Sequence, residues 1–116
     1  IAALRHPTDP REAATAPQVA FLFPGQGAQR ALMGADLYRS QPLFRDTVDH
    51  CAARLERHLG RNIRDLLLSD NAEALRSTDL AQSSLFTIEY ALAVWLQSLA
   101  IQPCAMLGHS LGEYVA

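Results

Sequence analysis

The hydrophobic pattern of the chain begins with a short apolar run from Val19 to Phe23, which stops at Pro24-Gly25. A run of this length that ends at turn residues is typical of a strand buried on both faces of a parallel sheet. A second apolar run, Cys104 to Leu107, leads into Gly108. The pattern therefore predicts two buried strands, one at each end of a long intervening segment.

Between the two runs, apolar residues recur at helical spacing. The stretch from Ala28 to Leu59 predicts packing helices with a break at Gln41-Pro42, because proline cannot continue a helix. The Asp70-Asn71-Ala72-Glu73 segment has a capping-box pattern and predicts a short helix. A longer, largely buried helix is predicted over residues 79–99 from one apolar stripe, whose members are Leu80, Leu85, Ile88, Leu92, Trp95 and Leu99.

The order of strand, helices, strand and turn predicts an α/β fold class with a parallel sheet flanked by helices, since parallel strands need a crossover connection. The chain ends six residues after Ser110. We therefore expect residues 19–116 to be the N-terminal portion of a larger, incomplete domain. Residues 1–18 contain three prolines and predict an interdomain connector.

Composition narrows the function classes. A hydrophobic content of 49% with a net charge of −2 indicates a globular core without the basic field that attracts nucleic acid or an anionic membrane. No apolar run approaches the roughly 20 residues of a membrane span, and no signal peptide is evident, so we expect a cytoplasmic protein. Cys51 and Cys104 form no Cys/His cluster, which predicts neither a metal site nor a disulfide.

The segment Gly108-His109-Ser110-Leu111-Gly112 fits the G-x-S-x-G nucleophile elbow. In an elbow, a sharp strand-to-helix turn exposes the serine hydroxyl, and glycines flank it because larger side chains would collide. Ser110 is thus a candidate nucleophile, and the N–H of Leu111 is a candidate oxyanion donor. A capping box formed by Ser110 and Glu113 is the alternative interpretation of the same residues.

A second glycine turn, from Pro24 to Gly27, follows the first predicted strand. Parallel strands place their carboxyl ends at one edge of a sheet, so the two turns can converge. The N–H of Gln26 could then complete an oxyanion hole with that of Leu111. A turn that only connects a strand to a helix is the alternative.

Three motifs in this order carry a family resemblance, and they are Phe23 to Gln29, Ala81-Gln82 and Gly108 to Glu113. Together they resemble the malonyl-CoA:acyl-carrier-protein acyltransferase family, particularly acyltransferase domains of modular type I polyketide synthases. The resemblance implies an α/β-hydrolase-like core, with a smaller ferredoxin-like subdomain expected beyond Ala116. It also implies that residues 1–18 join an adjoining ketosynthase.

The resemblance assigns roles residue by residue. It implies that Ser110 is the acyl-accepting nucleophile, that Gln26 and Leu111 donate backbone N–H groups to the oxyanion, and that Gln82 and His109 line the pocket. On sequence alone, Gln82 could equally be a polar residue that lines its own helix. His109 should shape the elbow, because it is adjacent to Ser110 and cannot easily curl back to deprotonate it.

The family's base histidine and its malonyl-binding arginine would lie beyond Ala116, so the chain alone is expected to be inactive. His50 and His58 are predicted to be surface residues of packing helices. The resemblance implies malonyl-CoA as donor, the phosphopantetheine arm of an acyl carrier protein as acceptor, and no metal or bound cofactor. Thr78 to Gln82 and Leu111 resemble malonyl-selective rather than methylmalonyl-selective domains.

Two alternatives stay open. The elbow could serve a serine esterase or thioesterase of the α/β-hydrolase type, which passes the acyl group to water. The chain could also be a non-catalytic acyltransferase remnant that acts as a docking module within a synthase.

Overall fold

The computed structural model describes residues 17–116. The elements are β1 Val19–Phe23, α1 Ala35–Ser40, α2 Pro42–Leu59, α3 Ile63–Leu67, a 3-10 turn Ala74–Arg76, α4 Thr78–Ser98, β2 Pro103–Gly108 and a 3-10 helix Ser110–Tyr114, here called the elbow helix. Most of the predicted connector, residues 1–16, lies outside the described residues.

The two strands pair in parallel, and the register brings Phe23 opposite Gly108. The helices form the crossover between them, as parallel pairing requires. The predicted α/β class with a parallel sheet and flanking helices is therefore confirmed.

The helical core lies where α2 crosses α4. Phe44 and Val48 of α2 are completely or almost completely buried, and they pack with Leu85, Ile88 and Ala91 of α4. Leu92 and Trp95 cover this cluster as half-buried residues, as the predicted stripe requires. Leu99 is the exception, because it lies just beyond the last turn of α4 and is 54% exposed.

The helix break at Gln41-Pro42 is confirmed, since Gln41 is extended and Pro42 begins α2. The predicted helical start at Ala28 is wrong, because α1 begins only at Ala35. Leu32 and Gly34 have φ values of 58° and 78°, which no right-handed helix can contain.

The predicted capping box at residues 70–73 is also wrong. The side chain of Asn71, not that of Asp70, accepts a hydrogen bond from the N–H of Ala74 at 3.1 Å. The element that follows is a single 3-10 turn rather than an α-helix.

The prediction that both strands are buried on both faces is wrong for the described residues. Phe21 and Phe23 point into a cluster with Ala93 of α4, but Leu22 is 70% and Leu107 is 67% exposed. The described helices cover one face of β1, so alternate side chains of that strand face outward, whereas Cys104 to Leu107 of β2 are exposed on both faces. Within residues 17–116, no helix is both long and apolar enough to cross a membrane.

Candidate active site

The two predicted turns meet at one edge of the sheet. The N–H of His109 donates to the carbonyl oxygen of Phe23 at 3.0 Å, immediately after both strands end. A methyl side chain at Gly25 would lie 3.0 Å from the oxygen of His109 and 3.2 Å from Cβ of Ser110. The first turn thus runs directly against the elbow, and Gly25 permits this approach because it has no side chain.

The elbow itself is too tight for any residue but glycine two positions before and two positions after Ser110. A Cβ atom at Gly108 would lie 2.2 Å from the backbone nitrogen of Glu113, and one at Gly112 would lie 2.2 Å from the oxygen of Phe23. Such distances are far below van der Waals contact, and the obstacles are backbone atoms that cannot rotate away. The spacing of the two glycines is therefore dictated by the turn.

Ser110 adopts a strained backbone conformation, with φ at 54°. A residue with a side chain pays about 1–2 kcal/mol for this left-handed conformation. Strain of this kind persists only where surrounding structure fixes it, and it is characteristic of the serine in a nucleophile elbow.

The capping-box interpretation of Ser110 is wrong for this structure. The residue at the N-cap position of the elbow helix is His109, and no side chain caps that helix. Ser110 is exposed and its hydroxyl makes no hydrogen bond to another described residue. The hydroxyl is therefore available to a substrate rather than engaged in holding the turn.

Leu111 is anchored by its side chain, which packs as a half-buried residue against the core cluster formed by α2 and α4. In an i→i+3 helix that begins at Ser110, the N–H of Leu111 has no acceptor inside the helix. The core therefore fixes the position of a backbone donor next to the serine.

The side chains of Gln26 and Gln82 contact each other, although they are 56 residues apart. Nε2 of Gln82 donates to Oε1 of Gln26 at 3.3 Å, and Nε2 of Gln26 donates to Oγ1 of Thr78 at 3.4 Å. The start of α4 thereby holds residues 24–27, here called the Gln26 turn, beside the elbow. The role of Thr78 was not predicted, yet its position four residues before Gln82 places both side chains on one face of α4.

His109 is exposed, and its ring lies over Gly25, with Cδ2 3.2 Å from where a side chain there would begin. It lines an open cavity of about 400 Å³ with Leu22, Pro24 and Leu107.

His50 and His58 are exposed on α2, as predicted. Among the described residues, no histidine forms a hydrogen bond to Ser110.

Two carboxyl groups of α4 have shifted pKa values. Hydrogen bonds from the hydroxyl of Ser77 and from the N–H of Leu80 lower the pKa of Asp79, at the start of α4. Further along α4, burial raises the pKa of Glu89 to about 7. In the part of the chain that the structure describes, no group of three or more His, Cys, Asp or Glu residues could hold a metal ion.

Comparisons with known proteins agree with this geometry. Residues 20–116 match the family model described as acyl transferase domain. A phenolphthiocerol/phthiocerol polyketide synthase protein of Mycobacterium tuberculosis is 39% identical over 104 residues, which are 90% of this chain and 7% of the relative.

Two solved structures are similar in both sequence and fold. The acyl transferase domain of SpnD, in complex with 2-(pent-4-yn-1-yl)malonyl, is 46% identical with a TM-score of 0.79, over 89% of this chain and 24% of that one. The malonyl-transacylase in the PlMCAT:AntF structure, a complex with a type II polyketide synthase acyl-carrier protein, is 34% identical with a TM-score of 0.72, over 86% of this chain and 31% of that one.

The chain thus spans a small part of the length of the relatives it matches. The matched segment nevertheless includes both turns and the whole elbow, from Ala20 to Ala116. The chain belongs to the acyl transferase domain family.

Proposed function

We propose that this chain is the N-terminal portion of an acyltransferase domain that transfers malonyl units from CoA to the phosphopantetheine arm of an acyl carrier protein. The observation that carries the proposal is the exposed Ser110, held at a positive φ between two glycines that admit no side chain. A structural serine has no need of this strained turn, whereas a nucleophile gains an accessible hydroxyl from it.

The reaction follows a ping-pong course. Oγ of Ser110 attacks the thioester carbonyl carbon, and the N–H groups of Gln26 and Leu111 donate to the oxygen that becomes negative. The C–S bond then breaks, and CoA leaves as the thiol after taking the serine proton. The thiol of the carrier protein next attacks the acyl ester, forming a new thioester and returning the proton to Ser110. A general base moves the proton in each half-reaction, and the proposal assigns this role to the histidine that the family resemblance implies beyond Ala116.

Two kinds of observation support malonyl as the transferred unit: residues of this chain and the solved structures that it resembles. Leu111 follows the serine and Thr78 to Gln82 precede the elbow, as in malonyl-selective domains of the family that the chain resembles. The SpnD domain was solved with a malonyl derivative, and the PlMCAT:AntF structure contains a malonyl-transacylase. These relatives support malonyl-CoA as the donor to test first.

The test is intact-protein mass spectrometry after incubation with malonyl-CoA. The samples are this chain, the chain extended through its native downstream sequence, and the extended form carrying Ser110→Ala or the matched control Ser98→Ala. We expect a malonyl adduct on the extended form and on its Ser98→Ala variant, and none on Ser110→Ala. An adduct that survives Ser110→Ala would refute Ser110 as the nucleophile.

The fate of the adduct separates the alternatives. A transferase should keep its ester in water and release it rapidly to a carrier protein, whereas an esterase or thioesterase should hydrolyse it at a similar rate with or without the carrier. A folded extended form that never gains an adduct would favour the docking remnant.

A further inference from the structure

Glu89 is the one buried charged side chain among the described residues, and it lies outside the site described above. It projects from α4 with 6% of its surface exposed, and both carboxylate oxygens lack a hydrogen-bond partner. Burying an ionised carboxylate without a partner costs several kcal/mol. A partner of opposite charge is therefore what this position calls for.

Glu89 opens onto a cavity of about 380 Å³ between β1, α4 and the segment that follows the Gln26 turn. Arg30 is the only other charged residue that lines this cavity. The remaining lining residues are all apolar, and Phe21, Phe23 and Ala93 are among them. Arg30 takes part in none of the ion pairs between described residues.

Arg30 lies four residues after Gln26, in the segment that follows the turn against the elbow. Its guanidinium has several donors in a planar fork, which suits both oxygens of one carboxylate. A contact between Arg30 and Glu89 would span the cavity and tie the segment after this turn to α4. The turn itself is already tied to α4 through Gln26, Gln82 and Thr78.

We propose that Arg30 turns into the cavity and pairs with Glu89, and that this ion pair positions the Gln26 turn for acyl transfer. Arg30 and Glu89 are then positioning residues, because they act on the oxyanion through the Gln26 backbone and do not touch substrate. The kinetic part rests on the proposed function, whereas the pairing itself does not.

The pairing is tested by ¹³C NMR titration of the Glu89 carboxyl group in the chain and in its Arg30→Gln and Arg30→Lys variants, with Arg39→Gln as an exposed control. In the side-chain arrangement that the structure shows, Glu89 is unpaired and burial alone raises its pKa to about 7, and Arg30→Gln should hold the group in that unpaired state. In the unsubstituted chain and in Arg39→Gln the pKa should lie clearly lower, and Arg30→Lys should restore part of the difference. Equal midpoints in the unsubstituted chain and Arg30→Gln would overturn the pairing.

The pH dependence of stability gives a second measure that does not depend on activity. In Arg30→Gln, a folded-state pKa above the unfolded value of 4.5 makes the neutral carboxyl group favourable. Stability from this group is complete below that unfolded value and falls as pH rises towards about 7. The unsubstituted chain should lose less stability than Arg30→Gln over this window, and an equal loss in both would contradict the pair.

Kinetics test positioning in the extended chain. Arg30→Gln and Glu89→Gln should each lower the acylation rate constant about tenfold with little change in KM for malonyl-CoA, as misplacement of a transition-state donor does. The double variant should be no slower than either single variant. Multiplied losses in the double variant, or a rise in KM alone, would overturn positioning. An NMR-detected pair in a folded extended chain that never gains an adduct would instead refute the proposed function and leave the pair intact.

Discussion

Helices α2 and α4 bury their contact, whereas β1 is covered on one face only and β2 is exposed from Cys104 to Leu107. Phe44 at the helix contact is 0% exposed, but Leu22 and Leu107 on the outer face of the sheet are 70% and 67% exposed. The edge of the sheet instead depends on close backbone approaches at Gly25, Gly108 and Gly112. Side-chain packing thus stabilises one region and backbone geometry shapes the other, so substitutions should be able to damage them separately.

The strongest test of the packed region is Phe44→Ala. Removal of a fully buried phenylalanine leaves a cavity and should lower the free energy of unfolding by about 3–5 kcal/mol. Leu43→Ala, one residue away on α2 and 41% exposed in the folded chain, is the matched control and should cost under about 1 kcal/mol. Urea unfolding followed by circular dichroism measures both. Similar losses of unfolding free energy in the two variants would contradict the burial of Phe44 between α2 and α4.

The backbone-shaped region is tested by Gly112→Ala. The new methyl group would meet the carbonyl of Phe23 at 2.2 Å, and we expect a loss of about 2–3 kcal/mol together with failure to form the acyl-enzyme in the extended chain. Gly60→Ala is the control, because Gly60 also has a positive φ of 68° but no atom near its missing side chain. It should cost about 1–2 kcal/mol in unfolding and leave acylation intact. Normal acylation by Gly112→Ala would show that the elbow tolerates a side chain.

The sequence predicts both the packed helices and the place where the two glycine turns meet. Proline at residue 42 and the stripe through Leu85 and Ile88 indicate the helices, and the two glycine motifs after apolar runs indicate that Gln26 and Ser110 share an edge. Both predictions agree with the structure because helical spacing and strand direction are local properties that the order of residues records.

Other features of the structure cannot be predicted from the pattern of neighbouring residues in the sequence. An apolar run predicts burial but does not reveal what covers each face, so the exposure of Leu22 could not be foreseen. The positive φ of Leu32, which helps delay α1, occurs at a residue type that ordinarily favours helix. The Gln26 to Gln82 bond joins distant segments, and Glu89 is buried by tertiary packing although its residue type is usually exposed.

A smaller effect should come from the link between the two regions. Gln82→Ala removes the hydrogen bond to Gln26, and the free energy of unfolding should fall by about 1 kcal/mol or less. Acylation in the extended chain should slow by a few-fold, because the Gln26 donor is then less well held. Gln97→Ala is the control on the same helix, since its side chain makes no hydrogen bond to a described residue. Equal acylation rates in the two variants would show that the Gln26 turn does not need this contact.

The smallest effect is expected on the outer face of the sheet. In this chain, Leu22→Ser replaces a side chain that is 70% exposed, so the free energy of unfolding should change by no more than about 0.5 kcal/mol. Its buried neighbour Phe21, replaced by Ala, should cost about 3–5 kcal/mol under the same conditions. In the extended chain, the cost of Leu22→Ser should rise to about 2 kcal/mol if added elements cover this face, since a buried leucine contributes about that much. A cost that stays near zero in both forms would mean that the outer face of β1 stays exposed in the longer protein as well, so that the contrast with the buried α2–α4 contact persists there.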